Sequence, residues 1–199
     1  RYFDKYEQKG TDPKKFITVW LIAFNNYAKQ NAATNVVLVS GTAKKSLIKI
    51  TQRLMSDPDF ATTGADEKAR ILRKQFKRYS RVQALRLVRT ESARAGNYGI
   101  EQSAMKVYAG RQMKKRWMTS MDGRERAWHG AANGQEVDFD KPFLVGGEYI
   151  KRPGEGSARN VVNCRCSMFP FPVPEPANPF ANLGALSAAL IAGDSLTTD

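Results

Sequence analysis

The sequence has few of the residues that enzymes use for acid–base and redox chemistry. Its 199 residues include one histidine and two cysteines, and they contain no Gly-rich phosphate loop, no nucleophile elbow and no His-Glu-x-x-His zinc motif. Two cysteines cannot form a disulfide framework, and no secretory signal sequence opens the chain, so we expect a reducing intracellular environment. These absences predict that the chain has no catalytic residues and is not an enzyme.

Long hydrophobic runs are also missing. The longest, residues 16–24, has nine residues, whereas a membrane-spanning helix needs about 20. We therefore expect no membrane partner. Hydrophobic residues make up 42% of the chain and the mean hydropathy is −0.49, which is enough apolar material for one folded domain or two small ones.

Positive charge is abundant and unevenly distributed. The formal net charge is +13, and residues 61–120 carry fifteen basic and four acidic side chains, a net +11. A dense basic surface attracts polyanions because binding releases condensed counterions. Three interpretations stay open at this point: a nucleic-acid interface, a surface for an acidic protein, and a solvated helix face. The candidate contacts to nucleic acid or an acidic partner are Arg73, Lys74, Lys77, Arg78, Arg81, Lys114, Lys115 and Arg116.

The first half of the chain has the periodicity and capping signals of helices. Helical spacing of apolar residues predicts helices over residues 13–30 and 41–55, the second ended by Asp57-Pro58. Capping signatures at Thr63 and Ser80 predict a third helix through residue 79 and a long fourth one reaching residue 105 or beyond. Small residues in the fourth helix either admit a close neighbouring backbone or, at Gly96 and Gly99, break the helix.

The second half has shorter, β-compatible segments. We expect strands over residues 116–119 and 161–169, one or two helical turns within 121–129, a tight turn at Asn133-Gly134, and extended pieces within 143–150. Prolines at 170, 172, 174, 176 and 179 predict an extended arm, followed by a short apolar helix over 183–191 that docks on its own core or on a neighbouring subunit.

The predicted fold class is therefore α+β, with a helical N-terminal half of three to four helices, a small β-rich region and an extended proline-rich tail. We divide the chain into residues 1–40, a domain over 41–169 and the tail over 170–199. Within the domain, residues 41–109 are helical and 110–169 are β-rich.

One set of residues could hold a metal ion. His129, Cys164 and Cys166 are soft ligands, and Asp122 is a candidate fourth ligand for zinc. The spacing argues against zinc, because Cys-x-Cys is less typical than Cys-x-x-Cys. On a strand the two cysteines would share one face, which favours two small buried residues beneath the sheet and no cofactor.

A series of motifs resembles a known family. An Arg-Thr-Glu sequence on the long helix, Asp-x-Arg-x-Arg-x-x-His and Asn-Cys-Arg-Cys occur in the order and spacing of the phage Mu protein F-like family, over about residues 40–169. The matching motif positions are Arg89, Thr90, Glu91, Asn97, Asp122, Arg124, Arg126, His129, Asn163, Cys164 and Cys166.

The resemblance implies a minor capsid, or head-morphogenesis, protein of a tailed phage. Such a protein is made in the host cytoplasm and lies inside the capsid near the portal vertex, where it supports assembly and DNA packaging or ejection. The implied partner is the portal protein; the major capsid protein, double-stranded DNA bound non-specifically and further copies of the chain are additional expectations.

Two further hypotheses concern the motif residues. We expect Arg89 or Arg124 to pair with Glu91 or Asp122 and so join the helical half to the β-rich half. The alternative function is a toxin-like hydrolase or nuclease, with or without a metal, that uses His129 with Asp122, Cys164 and Cys166. Domains of this kind are sometimes joined to toxin or nuclease domains, which keeps this alternative open.

Overall fold

The computed structural model describes residues 13–34, 41–77 and 79–174 and confirms the predicted α+β class. Arg78, the tail after residue 174 and the helix expected over 183–191 lie outside this range. The helices are α1 (Pro13–Asn31), α2 (Gly41–Met55), α3 (Pro58–Thr62), α4 (Ala65–Gln75), α5 (Arg81–Val107), α6 (Ala127–Ala131) and α7 (Ala158–Val161). The strands are β1 (Met113–Met118), β2 (Glu136–Asp138), β3 (Phe143–Val145), β4 (Glu148–Ile150) and β5 (Ser167–Pro172).

Local capping decides where the helices of the first half begin. The Ser80 side chain accepts a hydrogen bond from the backbone of Gln83 and the Gln83 side chain reciprocates, which confirms the predicted capping box of α5. The prediction that Asp57-Pro58 ends α2 is confirmed, because the last residue of α2 is Met55. The interpretation of Thr63 is wrong, and the helix expected to reach residue 79 ends at Gln75. Asp57 starts the short helix α3, because its carboxylate accepts from the first backbone N–H groups, and Thr63 ends α3 while Gly64 precedes α4.

Helix α5 runs unbroken through its small residues and packs along α1. At the contact, the Trp20 indole Nε1 donates to the Gly96 carbonyl at 3.0 Å. A Cβ atom at Gly99 would lie 2.8 Å from the same indole ring, so only glycine fits there. The small residues therefore admit a close neighbour and do not break the helix.

The β-rich half contains a three-stranded antiparallel sheet of order β2-β1-β5 and a separate β3-β4 hairpin. The hairpin turns at Gly146-Gly147, both of which have positive φ. The strand expected over residues 161–169 is wrong in its first half: α7 ends at Val161, Asn163 has φ 58°, and β5 begins only at Ser167. β5 then continues through Pro170 and Pro172, which an edge strand tolerates because one side of its backbone needs no ladder partner.

Each half has its own buried cluster. The helical cluster centres on α1, α2, α4 and α5, and the sheet cluster is formed by Trp117, Ala132, Phe143, Val145, Ile150, Cys164, Cys166 and Met168. Among the helices that the structure describes, none has both the length and the apolarity to cross a bilayer.

Candidate functional site

The fold brings His129, Cys164 and Cys166 together in the sheet cluster. His129 lies on the short helix α6, and both cysteines lie in the turn between α7 and β5. The His129 Nδ1 atom is 3.3 Å from the Cys166 sulfur and 3.8 Å from the Cys164 sulfur. All three side chains are buried, and neither cysteine forms a disulfide. The sequence predicted these three residues as a candidate site. The turn, and not a strand, brings both sulfurs close to the His129 ring.

Asn160 fixes the protonation pattern of the His129 ring. Its Oδ1 atom accepts from the Trp128 indole Nε1 at 2.7 Å and lies 3.2 Å from His129 Nε2. An indole nitrogen can only donate a hydrogen bond, so the Asn160 atom that faces it must be the oxygen. This oxygen can only accept, so the His129 Nε2 atom that also faces it must carry a proton. The neutral His129 ring therefore presents an unprotonated Nδ1 to the two sulfurs. Sequence reasoning missed Asn160, which carried no motif signal.

The two thiols differ in acidity because they share a hydrogen bond. The hydrogen bond from the Cys166 side chain is the largest cause that lowers the pKa of Cys164, to about 5, although burial opposes this. The adjacent Cys164 sulfur and burial raise the pKa of Cys166. The pair therefore favours one proton shared between two sulfurs, with Cys164 as the sulfur that loses its proton first.

Asp122 does not join this cluster. Its carboxylate binds the Arg165 guanidinium through both oxygens, with one N–O distance of 2.9 Å, and accepts the Arg124 backbone N–H at 3.2 Å. The Arg165 hydrogen bond holds the pKa of Asp122 at about 2. The carboxylate is thus an ion-pair partner on the surface, which corrects its expected role as a fourth metal ligand or catalytic acid.

The expected ion pairs between the two halves are wrong. Glu91 is buried on α5 and has Arg94 as its ion-pair partner at 3.8 Å, and burial raises the pKa of Glu91. Arg124 is exposed and contributes its backbone N–H to Asp122, while Arg89 is half-buried on α5. The three-dimensional positions of these residues decide which charges form ion pairs, and the order of the charges in the sequence does not.

Polar motif residues of α5 instead join the halves by hydrogen bonds. Asn97 donates to the Cys166 carbonyl at 3.0 Å and accepts the Met168 backbone N–H at 2.9 Å. Thr90 accepts the backbone N–H of Asn163 at 2.8 Å. The left-handed conformation of Asn163 turns the chain at this point, and asparagine tolerates it better than most residues. These contacts give Thr90, Asn97 and Asn163 a structural role that the sequence did not indicate.

The remaining motif arginine also holds the turn. Arg126 precedes α6, and its guanidinium donates to the Val162 carbonyl between α7 and the cysteines. It therefore connects the helix that carries His129 with the segment that carries Cys164 and Cys166. Arg126 thus stabilises this region through a backbone carbonyl.

A groove of about 490 Å³ opens beside the cluster, between α1, α4, α5 and the cysteine-bearing turn. Its wall includes Trp20, Lys68, Arg89, Asn97, Cys164 and Cys166. His129 is not among the residues that line the groove, and both cysteines are almost fully covered. The groove is therefore bordered by both cysteines but not by His129.

The predicted polyanion contacts fall into two groups. Lys115 is 1% exposed; its ammonium donates to the Lys151 carbonyl at 2.7 Å, so it is a core residue and its prediction as a contact is wrong. Lys114 and Arg116 pair with Asp138 and Glu136 on β2.

The residues on the helical side remain on the surface. Arg73, Lys74 and Lys77 are exposed, and Arg81 is exposed but paired with Asp66 at 2.7 Å. Three further exposed cations, Lys45, Lys49 and Arg53, lie on α2, which packs against α4. We call the set Lys45, Lys49, Arg53, Arg73, Lys74 and Lys77 the basic face.

Comparison with known proteins defines the class of this chain. Residues 31–169 match the model of the family described as Phage Mu protein F like protein, and this is more than half of the chain. The chain therefore belongs to the phage Mu protein F-like family, as the motif series indicated.

A second comparison concerns a longer protein. NAD(+)–arginine ADP-ribosyltransferase EFV of Enterococcus faecalis (strain ATCC 700802 / V583) is 36% identical over 87 residues, which is 43% of this chain and 18% of that protein. The chain thus spans less than a fifth of the length of this relative. No solved structure matches the chain significantly.

Proposed function

We propose that this protein is a minor capsid protein that binds the portal inside the phage head and supports capsid assembly and DNA packaging or ejection. The observation that carries the proposal is the family match over residues 31–169, which contains α2 to α7, β1 to β4 and the first three residues of β5. The major capsid protein and other copies of the chain are further partners to be tested.

Direct DNA contact is the part of the proposal that the charge distribution supports. The basic face places six exposed cations on two packed helices and the turn that follows them. On this face the Arg53 guanidinium donates to the uncharged amide of Gln75 at 3.1 Å, so this contact leaves its positive charge uncompensated. In the β-rich half, by contrast, Lys114 and Arg116 form ion pairs with the acidic residues of β2. Non-specific contact with phosphates is what such an arrangement would provide.

Salt-dependent DNA binding tests this contact. We expect binding of the purified protein to a random-sequence duplex to weaken steeply with salt, with each lost phosphate contact making the log–log slope shallower by about 0.9. The double variant Arg73→Gln/Lys74→Gln should weaken binding and flatten the slope. The control Lys29→Gln/Lys141→Gln removes the same charge from exposed positions outside the basic face and should bind almost like the wild type. Equal losses in both variants would mean that only net charge matters.

Position in the assembled head tests the portal proposal. Cross-linking of intact particles through lysines, followed by mass spectrometry, should join this chain to the portal protein. Cross-links to the major capsid protein alone, or the absence of the chain from purified particles, would contradict the proposal. Self cross-links together with portal cross-links would show several copies at the vertex.

We infer that this role involves no reaction. Asp122 is held in an ion pair with Arg165 and is not a member of the His129–Cys164–Cys166 cluster, so it supplies no carboxylate to that cluster. The enzyme name of the Enterococcus faecalis relative belongs to a protein of which this chain matches 18%. A nuclease assay on the wild type and on His129→Ala tests this: activity that disappears in a folded variant would favour the enzyme instead.

A further inference from the structure

We propose that the His129 Nδ1 atom and the sulfurs of Cys164 and Cys166 are ligands of a zinc ion. These three donor atoms all lie within 4.8 Å of one another, and all three side chains are buried. In a tetrahedral zinc site with bonds of 2.0–2.3 Å, neighbouring ligand atoms are separated by about 3.5 Å. The two Nδ1–sulfur distances, 3.3 and 3.8 Å, lie on either side of that value.

The hydrogen bond from His129 to Asn160 leaves the electron pair of Nδ1 directed towards the two sulfurs. Asn160 Oδ1 requires the proton on Nε2, as the contact with Trp128 shows, so Nδ1 is left as the donor atom. A zinc-bound histidine typically gives its other N–H to a carbonyl or carboxylate oxygen in this way, and that partner keeps the ring in position. Asn160 is itself 2% exposed, so the arrangement is built into the core and does not depend on solvent.

A metal ion satisfies this cluster better than hydrogen bonds do. The single electron pair of Nδ1 can accept one well-directed S–H bond, yet two sulfurs converge on it. One zinc ion would bind the nitrogen and both sulfurs simultaneously. It would also fasten α6 to the turn before β5, two segments with no regular hydrogen-bond ladder between them.

The fourth coordination position would belong to a small ligand such as water. Among the described residues the cluster contains three candidate donors, and Asp122 is engaged by Arg165. Both cysteines border the groove, but all three ligand side chains are buried, so the fourth ligand would be a small molecule held inside the cluster. The proposed site is thus Cys₂His plus one non-protein ligand. An open fourth position is typical of catalytic zinc, but the ring and both sulfurs are buried here, and the role that we propose for the ion is to hold α6 against the turn before β5.

Metal analysis of the intact protein tests the site. We expect about one zinc per chain after purification under reducing conditions, and cobalt substitution should give the near-ultraviolet charge-transfer band of thiolate-bound cobalt. Cys164→Ser and Cys166→Ser should each lose most of the zinc and weaken the band. Asp122→Asn is the matched control, because it alters the neighbouring ion pair but keeps all three donors, and it should retain zinc.

Two results would overturn the proposal. One is a folded wild-type protein that holds no stoichiometric metal even after zinc is added, with two free thiols by titration. The other is cobalt that binds without the charge-transfer band, which would place the metal away from the sulfurs. Both readouts use the wild type, so they remain decisive if the cysteine variants fail to fold, and neither depends on portal or DNA binding.

Discussion

Glu101 and Arg152 form a buried ion pair that connects the long helix α5 to the segment after β4. The guanidinium Nη1 atom lies 2.6 Å from the carboxylate, and both side chains are less than a tenth exposed. Lys151 approaches the same carboxylate at 3.1 Å from the surface, and Arg152 also stacks on Tyr98, 5.2 Å from the ring centroid. Within the part of the chain that the structure describes, this cluster forms an ionic connection between the two halves that the motif charges were expected to form.

Breaking this pair should destabilise the protein strongly. Glu101→Gln removes the buried counterion of Arg152 and leaves it only the more exposed carboxylate of Glu155, so we expect the free energy of unfolding to fall by about 3 kcal/mol, the lower end of the cost of breaking a buried pair. Urea denaturation at neutral pH measures the loss. Lys151→Gln is the control, because Lys151 contacts the same carboxylate but is half-exposed, and it should cost less than about 1 kcal/mol. Similar losses in both variants would contradict a special role for the buried partner.

Asn97 should anchor β5 to the long helix. Asn97→Ala leaves the Met168 backbone N–H and the Cys166 carbonyl buried without their partner, and each unpaired group costs about 1–3 kcal/mol. We therefore expect a clear loss of stability together with faster hydrogen exchange at the Met168 amide. Asn26→Ala, at an exposed position of α1, should change stability by about 0.5 kcal/mol or less. Unchanged exchange at Met168 would show that Asn97 does not hold the strand.

Two glycines of α5 should respond oppositely to the same substitution. Gly99→Ala introduces a methyl group 2.8 Å from the Trp20 indole and 3.1 Å from the Trp20 carbonyl, so α1 must move and stability should fall. At Gly96 the nearest atom to a new Cβ is 4.0 Å away, so Gly96→Ala should be tolerated or stabilise the helix by up to about 1 kcal/mol. Thermal unfolding of both variants decides this; a stable Gly99→Ala would mean that α1 does not pack there.

Lys115 should make stability rise with alkaline pH. Burial lowers the pKa of Lys115 to about 8, below the value of about 10.4 for an unfolded lysine. Between these values the unfolded chain binds more protons than the folded one, so the free energy of unfolding contributed by Lys115 increases from pH 8 to about pH 10.4. Lys115→Met removes this dependence. Urea denaturation at pH 8 and pH 10 should show that the free energy of unfolding of the wild type rises relative to that of the variant. Equal changes in both proteins would contradict the role of Lys115.

Much of the helical half could be predicted from the sequence. The apolar periodicity of α1 and α2 and the Ser80–Gln83 capping box gave the right elements, because these signals act between neighbours along the chain. Asp57-Pro58 was correctly predicted to end α2, but the short helix α3 that begins there was missed. Thr63 was mistaken for the start of the next helix because it ends α3 immediately before Gly64, the N-cap of α4. The cysteine-bearing segment was mistaken for a strand because its β-compatible residues conceal the left-handed turn at Asn163.

The candidate site was only partly visible in the sequence. His129, Cys164 and Cys166 could be nominated by residue type, whereas Asn160, which orients the ring, is an asparagine without a motif. Lys115 could not be distinguished from its neighbours Lys114 and Arg116 in the sequence. Successive side chains of β1 point to opposite faces of the sheet, and only the packing of the sheet decides which face is buried.

The sequence by itself determined the α+β class, the charge asymmetry and the family, since these depend on composition, periodicity and ordered motifs. Only the tertiary structure decided which charges meet, which cation is buried and how three soft donor atoms reach a common centre. Those properties depend on contacts between residues far apart in the chain, such as Glu101 with Arg152 and His129 with Cys166. The distances between these side chains are set by the packing of the folded chain and not by the number of residues between them in the sequence.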